Sequence, residues 1–145
     1  MKVLVINGPN LNFLGIRNKD IYGHEDYKSL QEMIMTYGFK EQVETECYQS
    51  NHEGAIIDRL QKAYYDRVEG IVINPGAYTH YSYAIRDAIS SIQIPTVEVH
   101  ISNIHEREAF RHVSVTKDVC VHQIVGKGLD GYLEAISFLK DRLKA

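Results

Sequence analysis

Four apolar runs in this chain each stop at a cluster of polar residues, and the regular spacing of those stops constrains the fold more than any other feature. Gly70-Ile-Val-Ile-Asn74 empties into Pro75-Gly76 and, after Ala-Tyr-Thr, into His80. Val3–Ile6 runs into Asn7-Gly-Pro-Asn10, Cys47–Tyr48 into Gln49-Ser-Asn-His52, and Thr96–Val99 into His100-Ile-Ser-Asn103. Stretches of helical periodicity lie between them. Continuous apolar strands alternating with helices mean a parallel sheet buried on both faces. Sheets of that kind bind ligands outside the carboxyl ends of their strands. Nearly every chemically able side chain stands at one of those ends, so the pattern points to an active site.

The coarse reading places strand 1 at Lys2–Ile6, followed from Asn7 to Gly23 by a long stretch without periodicity, the mark of a lid or binding loop. A helix begins near Asp26, carries Leu30, Met33, Ile34 and Tyr37 on one face and stops at Gly38. Strand 2 is about Val43–Tyr48. The next helix starts near Glu53, with Ile56, Leu60, Ala63 and Tyr64 on one side. Strand 3 is Gly70–Asn74, and Thr79 caps a helix to about Ser91. Strand 4 is Thr96–His100, a short helical turn follows at Glu106–Phe110, and Val119–Val125 is strand 5. The last helix carries Leu129, Leu133, Ile136, Leu139 and Leu143. Five β-α units in this length predict an α/β fold: a flavodoxin-like, doubly wound, five-stranded parallel sheet of order 2-1-3-4-5, forming a single catalytic domain over residues 1–145.

A chain of 145 residues buries a sizeable core without metals or disulfides. Sixteen basic and nineteen acidic residues, a net charge of −3 and no block of like charge argue against nucleic acid or an anionic membrane as partner. Cys47 and Cys120 share no metal or redox spacing and read as reduced core thiols, which suits a cytoplasmic protein. Met1-Lys2 leads straight into a strand rather than a leader peptide, and no apolar run approaches the roughly twenty residues of a bilayer span. None of the seven histidines has a zinc-ligand spacing, and Gly126-Lys-Gly128 lacks the phosphate-loop pattern. Neither a metal nor another cofactor is expected.

Within the long first loop, Arg17 and Tyr22 are five residues apart. A surface arginine and a packed tyrosine are the simple interpretation. The loop overhangs the strand ends, however, and a tyrosine oxygen, ordinarily titrating near about 10, needs a neighbouring cation to act as a base near neutrality. Arginine supplies that charge without losing its proton. On strand 4, Glu98 and His100 alternate and so point to one face. A carboxylate there fixes the imidazole's tautomer and suits a histidine acting as an acid, whereas an unused buried charge would be costly. Asn10, Asn74, His80, Ser102 and Arg111 are further strand-end polar groups, each with a turn or surface role available to it. Together they predict proton abstraction beside a carbonyl with loss of a leaving group, performed by a tyrosine base, a histidine acid and amide donors.

The chain closely resembles the type II 3-dehydroquinate dehydratases of the shikimate pathway, over essentially its whole length. The resemblance is carried by Asn7-Gly-Pro-Asn-Leu-Asn12, Tyr22-Gly23, Ser50-Asn-His-Glu-Gly54, Asn74-Pro-Gly-Ala-Tyr-Thr-His80, Arg86-Asp87-Ala88, Glu98-Val-His-Ile-Ser-Asn103, Arg107-Glu108, Phe110-Arg111 and Gly131-Tyr132. It implies that Tyr22, assisted by Arg17, removes the proton beside the ketone of 3-dehydroquinate. The enolate would be stabilised through a water near Asn10. His100, oriented by Glu98, would protonate the departing hydroxyl to give 3-dehydroshikimate. The substrate carboxylate would rest on the Ile101 and Ser102 backbone and the Asn74 side chain. Ring hydroxyls would meet His80 and Arg111, with Asp87 reaching in from a neighbouring subunit of a trimer, trimers being grouped into a homo-oligomeric dodecamer. Three positions depart from the family's usual pattern. Asn18-Lys19-Asp20 follows Arg17 where a proline usually stands close by, Tyr81 and Tyr83 replace smaller residues, and Val115 replaces an aromatic. The first is expected to loosen the lid, the second to alter the pocket wall or a subunit contact. A flavin carrier or phospho-receiver of the same fold is disfavoured: Gly8-Pro-Asn10 is no flavin phosphate loop, and Asn7 and Asn74 stand where a receiver needs acids.

Overall fold

Strand ends line up because the strands are short and in register. The computed structural model describes residues 1–144. Its strands β1 (Lys2–Asn7), β2 (Glu44–Gln49), β3 (Gly70–Asn74), β4 (Thr96–His100) and β5 (His122–Val125) form one all-parallel sheet in the order β2-β1-β3-β4-β5, as the alternation of strands and helices predicts. Register sets Asn7 beside Asn74 and Ile73 beside Glu98. The polar residues that close each strand therefore fall on one edge.

Successive residues of a strand face opposite sides, and each side is covered by helices. Val3, Val5, Val72, Val97 and Val99 pack with Leu30 and Ile34 of α2 (Tyr27–Glu41) and Tyr132, Ile136 and Leu139 of α5 (Asp130–Lys144). Leu4, Ile6, Ile71 and Ile73 pack with Ile56 and Leu60 of α3 (Glu53–Tyr65) and Ile85 and Ile89 of α4 (Tyr83–Ile92). Each such aliphatic side chain, fully buried, stabilises the fold by about 1.5–3 kcal/mol. Among the described residues no helix is long and apolar enough to cross a membrane. Cys47 and Cys120 are free and partly buried, and burial pushes the Cys47 thiol up to about 11 and that of Cys120 higher still.

Four local expectations need correction. Gly38 does not stop α2, which runs on to Glu41 with Gln42 as its left-handed cap. Thr79 lies in a 3-10 turn, Gly76–His80, and the cap of α4 is Ser82, whose hydroxyl accepts from the Ile85 N–H at 3.0 Å. The fifth strand starts at His122, because Lys117–Val119 forms a 3-10 turn instead. Glu106–Phe110 is split between two 3-10 turns, Ile104–Glu106 and Ala109–Arg111.

Gly38 is kept by close approach. A Cβ there would stand 2.7 Å from both the Val43 carbonyl oxygen and the Thr45 Cγ2. Alanine favours a helix interior by about 1 kcal/mol over glycine, but overpacking against a backbone carbonyl costs about 1–3 kcal/mol. Gly38→Ala is thus expected to lower the urea midpoint, corresponding to a net loss of about 1 kcal/mol. A raised midpoint would mean that β2 yields without cost.

Candidate active site

The long first loop is locally ordered into a 3-10 turn at Leu11–Phe13 and a single helical turn, α1 (Lys19–Tyr22). Asn18 precedes α1 at φ +38°, in the left-handed region that asparagine tolerates better than most residues. This reversal folds Arg17 back over Tyr22. Arg17 Nη2 donates to the Tyr22 hydroxyl oxygen at 2.8 Å, and the guanidinium carbon lies 4.2 Å from the ring centroid. A second guanidinium reaches the same oxygen: Arg107 Nη1 donates to it at 2.7 Å and also lies 3.4 Å from Ser102 Oγ. Arg107 stands in the Arg107-Glu108 motif and has no role among those expected from the sequence. Eighty-five residues separate it from Tyr22, and spacing alone reveals nothing at that range.

Across the pocket, Glu98 is fully buried and His100 nearly so, and their side chains meet as strand alternation predicts: His100 Nε2 lies 2.9 Å from Glu98 Oε2. Ser114 Oγ (2.8 Å) and Gln123 Nε2 (2.7 Å) donate to the same oxygen. The hydroxyls of Thr79 (3.2 Å) and Thr116 donate to Oε1. Burial alone would push the Glu98 carboxyl up. The hydrogen bond and charge of His100, with the Thr116 and Gln123 donors, outweigh it and bring the carboxyl down to about 2. An ionised carboxylate only accepts, so Nε2 of His100 must carry its proton toward Glu98. That leaves Nδ1 as the nitrogen free to exchange one.

His80 Nδ1 donates to the Val113 carbonyl at 2.8 Å. Burial lowers its pKa, and the nearby His100 and Arg111 charges act in the same direction against the pull of that carbonyl. A neutral His80 therefore offers Nε2 as an acceptor. Asn74 is buried; its Oδ1 accepts from the Gly76 N–H at 3.1 Å, and its Nδ2 donates to the Tyr132 hydroxyl at 2.9 Å. Arg111 pairs through Nε with exposed Glu108.

One pocket of about 110 Å³ gathers these groups. Nine of the predicted residues line it: Asn10, Arg17, Tyr22, Asn74, His80, His100, Ile101, Ser102 and Arg111. Glu98 stands behind His100. Asp87 is not brought in by this chain's own fold, since it is exposed on α4. Tyr81 and Tyr83 do not line the pocket either; they are 59% and 66% exposed, so of the two roles expected for them the pocket wall is removed. Val115 is tied down at both ends, its N–H donating to the Thr79 carbonyl and its carbonyl accepting from Arg86 Nη1. Among the described residues no cluster of three or more His, Cys, Asp or Glu could hold a metal ion.

A base candidate flanked by two cations, facing an imidazole whose far nitrogen is held by a carboxylate, suits removal of one proton and delivery of another. Comparison with known proteins points the same way. The Dehydroquinase class II profile matches residues 1–140. A Lachnoclostridium phytofermentans protein named 3-dehydroquinate dehydratase is 65% identical over 136 residues, 94% of each chain. The crystal structure of a type II dehydroquinase from Butyrivibrio crossotus superposes with a TM-score of 0.96 at 65% identity, covering 97% of each chain. The corresponding enzyme of Propionibacterium acnes, at 41% identity, gives 0.93 over 97% of this chain and 96% of its own. Sequence, sheet order and superposition agree: this chain belongs to the class II dehydroquinase family.

Proposed function

We propose that this chain eliminates water from 3-dehydroquinate to give 3-dehydroshikimate, in the shikimate pathway, through an enolate made and discharged by its own side chains. The observation that carries the reading is the convergence of the Arg17 and Arg107 guanidinium groups on the Tyr22 oxygen, in the pocket that also holds His100. Tyr22, as the phenolate, takes the proton from the carbon beside the ketone, and the two arginines hold its negative oxygen without giving up protons themselves. Charge moves onto the ketone oxygen, where Asn10, acting through a water, stabilises it. His100 then gives its Nδ1 proton to the leaving hydroxyl, which departs as water, while Glu98 keeps Nε2 in place. The Asn74 amide and the Ile101 and Ser102 backbone receive the substrate carboxylate; His80 and Arg111 receive ring hydroxyls.

Ultraviolet absorbance on mixing metal-stripped protein with 3-dehydroquinate, with and without borohydride, tests this reading. A rising conjugated-enone band that borohydride leaves unchanged supports it. No band, or one abolished by borohydride, overturns it.

The site is read as completed by a second copy of the chain, through exposed Asp87, in trimers that build a dodecamer. Asp87→Ala is expected to raise KM several-fold without changing sedimentation. A monomeric wild type, or an unchanged KM, would remove Asp87 from the site.

A further inference from the structure

The floor of the pocket holds a buried hydrogen-bond relay that the proposed chemistry does not use. Asn7 and Asn74 close the adjacent strands β1 and β3 in register. Between them stands the hydroxyl of Tyr132, a fully buried residue in the first turns of α5. Asn74 Nδ2 donates to that hydroxyl at 2.9 Å, and the hydroxyl lies 2.5 Å from Asn7 Oδ1. Donor and acceptor roles in this chain are forced. The Asn74 Oδ1 already accepts from the Gly76 N–H, so the group facing Tyr132 is the amide nitrogen, which can only donate. Tyr132 therefore accepts there, and its single proton must go to Asn7 Oδ1. Reversing Asn7 would put two N–H donors on one phenol oxygen and leave the phenol proton unplaced, so only one direction places that proton, with Asn7 Nδ2 left without a partner. Burial raises the Tyr132 phenol far above its usual range, so it keeps that proton throughout the working pH range.

From this geometry we infer that Tyr132 is a positioning residue for substrate binding: it locks the Asn74 amide so that a donor, and not the carbonyl oxygen, is presented to an anionic group in the pocket. Asn74 Nδ2 carries two hydrogens, and Tyr132 takes one. The second remains for the ligand. A flipped amide would set a carbonyl oxygen against a carboxylate. This rests on the reading of Asn74 as a carboxylate donor. Tyr132 lies behind the pocket lining and touches no reacting atom, so its removal acts on binding and leaves the proton transfers intact.

A double-mutant cycle with 3-dehydroquinate tests the inference and separates it from the reading beneath it. Tyr132→Phe is expected to raise KM about tenfold with kcat within about twofold, the worth of a charged-group hydrogen bond. Asn74→Ala is expected to raise KM by at least as much. In the Asn74→Ala background Tyr132→Phe should then add nothing further. Asn7→Leu, which keeps the phenol but removes the acceptor that directs its proton, should raise KM by a smaller factor. It serves the same purpose if Tyr132→Phe does not fold. If Asn74→Ala weakens binding and neither Tyr132→Phe nor Asn7→Leu does, the relay has no positioning role. If Asn74→Ala leaves KM unchanged, the carboxylate reading of Asn74 falls and the inference falls with it. Full additivity in the cycle would reduce Tyr132 to a packing residue.

Discussion

Tyr22→Phe is expected to lower kcat for 3-dehydroquinate by about 10³- to 10⁴-fold, with KM within a few-fold of wild type. The substitution removes one oxygen and leaves the ring against Arg17, so the pocket keeps its shape while the proposed proton acceptor disappears. Equal falls in kcat and kcat/KM identify an interaction made only in the transition state. A raised KM with unchanged kcat would make Tyr22 a binding residue. Arg107→Gln provides the companion measurement. It removes one of the two cationic donors on the Tyr22 oxygen (Arg17 remains at 2.8 Å), and a charged hydrogen bond is worth about 1.5–3 kcal/mol, or roughly tenfold to a hundredfold in rate. The loss should fall on kcat; a raised KM with unchanged kcat would assign Arg107 to substrate instead.

Glu98→Gln is expected to lower both activity and stability, and to change how stability depends on pH. Five donors converge on this buried carboxylate, more than its roughly four lone-pair sites. An amide in its place turns an NH2 group toward some of those donors, and His100 loses the anion that orients it. Activity should fall at least a hundredfold. For stability the sign follows from the carboxyl's lowered value. It sits at about 2 in the folded protein against 4.5 ordinarily, so the folded state binds the proton less readily than the unfolded chain. The resulting stabilisation is complete above about 4.5 and is lost as pH falls toward 2, and it amounts to about 3 kcal/mol. Urea titrations of both proteins from pH 7 to 2 measure the difference. Other carboxylates titrate alike in the two, so the gap should close by about 3 kcal/mol on acidification. Parallel curves would show that the Glu98 carboxyl titrates alike in the folded and unfolded chain.

What the sequence made legible was whatever depends on short-range periodicity or on strand ends. Alternation along Thr96–His100 put Glu98 and His100 on one face, and they meet at 2.9 Å. The continuous apolar runs fixed a two-sided parallel sheet, and the sheet fixed which edge carries polar groups. Gly38 was misread because a glycine after a periodic run looks like a helix end; the close approach of β2 that requires it is a tertiary fact. Thr79 looks like a cap because capping is the local use of a threonine, whereas its hydroxyl is drawn from a 3-10 turn to Glu98 on β4. Arg107, Ser114, Thr116, Gln123 and Tyr132 gave no sequence signal of their own. Each acts on a partner between 16 and 125 residues away, and in isolation each is an ordinary polar or aromatic residue.

The two guanidinium groups on Tyr22 are anchored differently, and that difference ties access to reactivity. Arg17 and Tyr22 belong to one short stretch and travel together, whereas Arg107 belongs to the segment that follows β4. Any displacement of α1 that admits substrate separates the phenol from Arg107 and halves the positive charge at its oxygen. The doubly held phenol oxygen is therefore a property of the closed arrangement alone. While the gate stands open a single guanidinium holds the phenol oxygen; with the substrate enclosed two hold it. Sealing the chamber and arming it are a single movement.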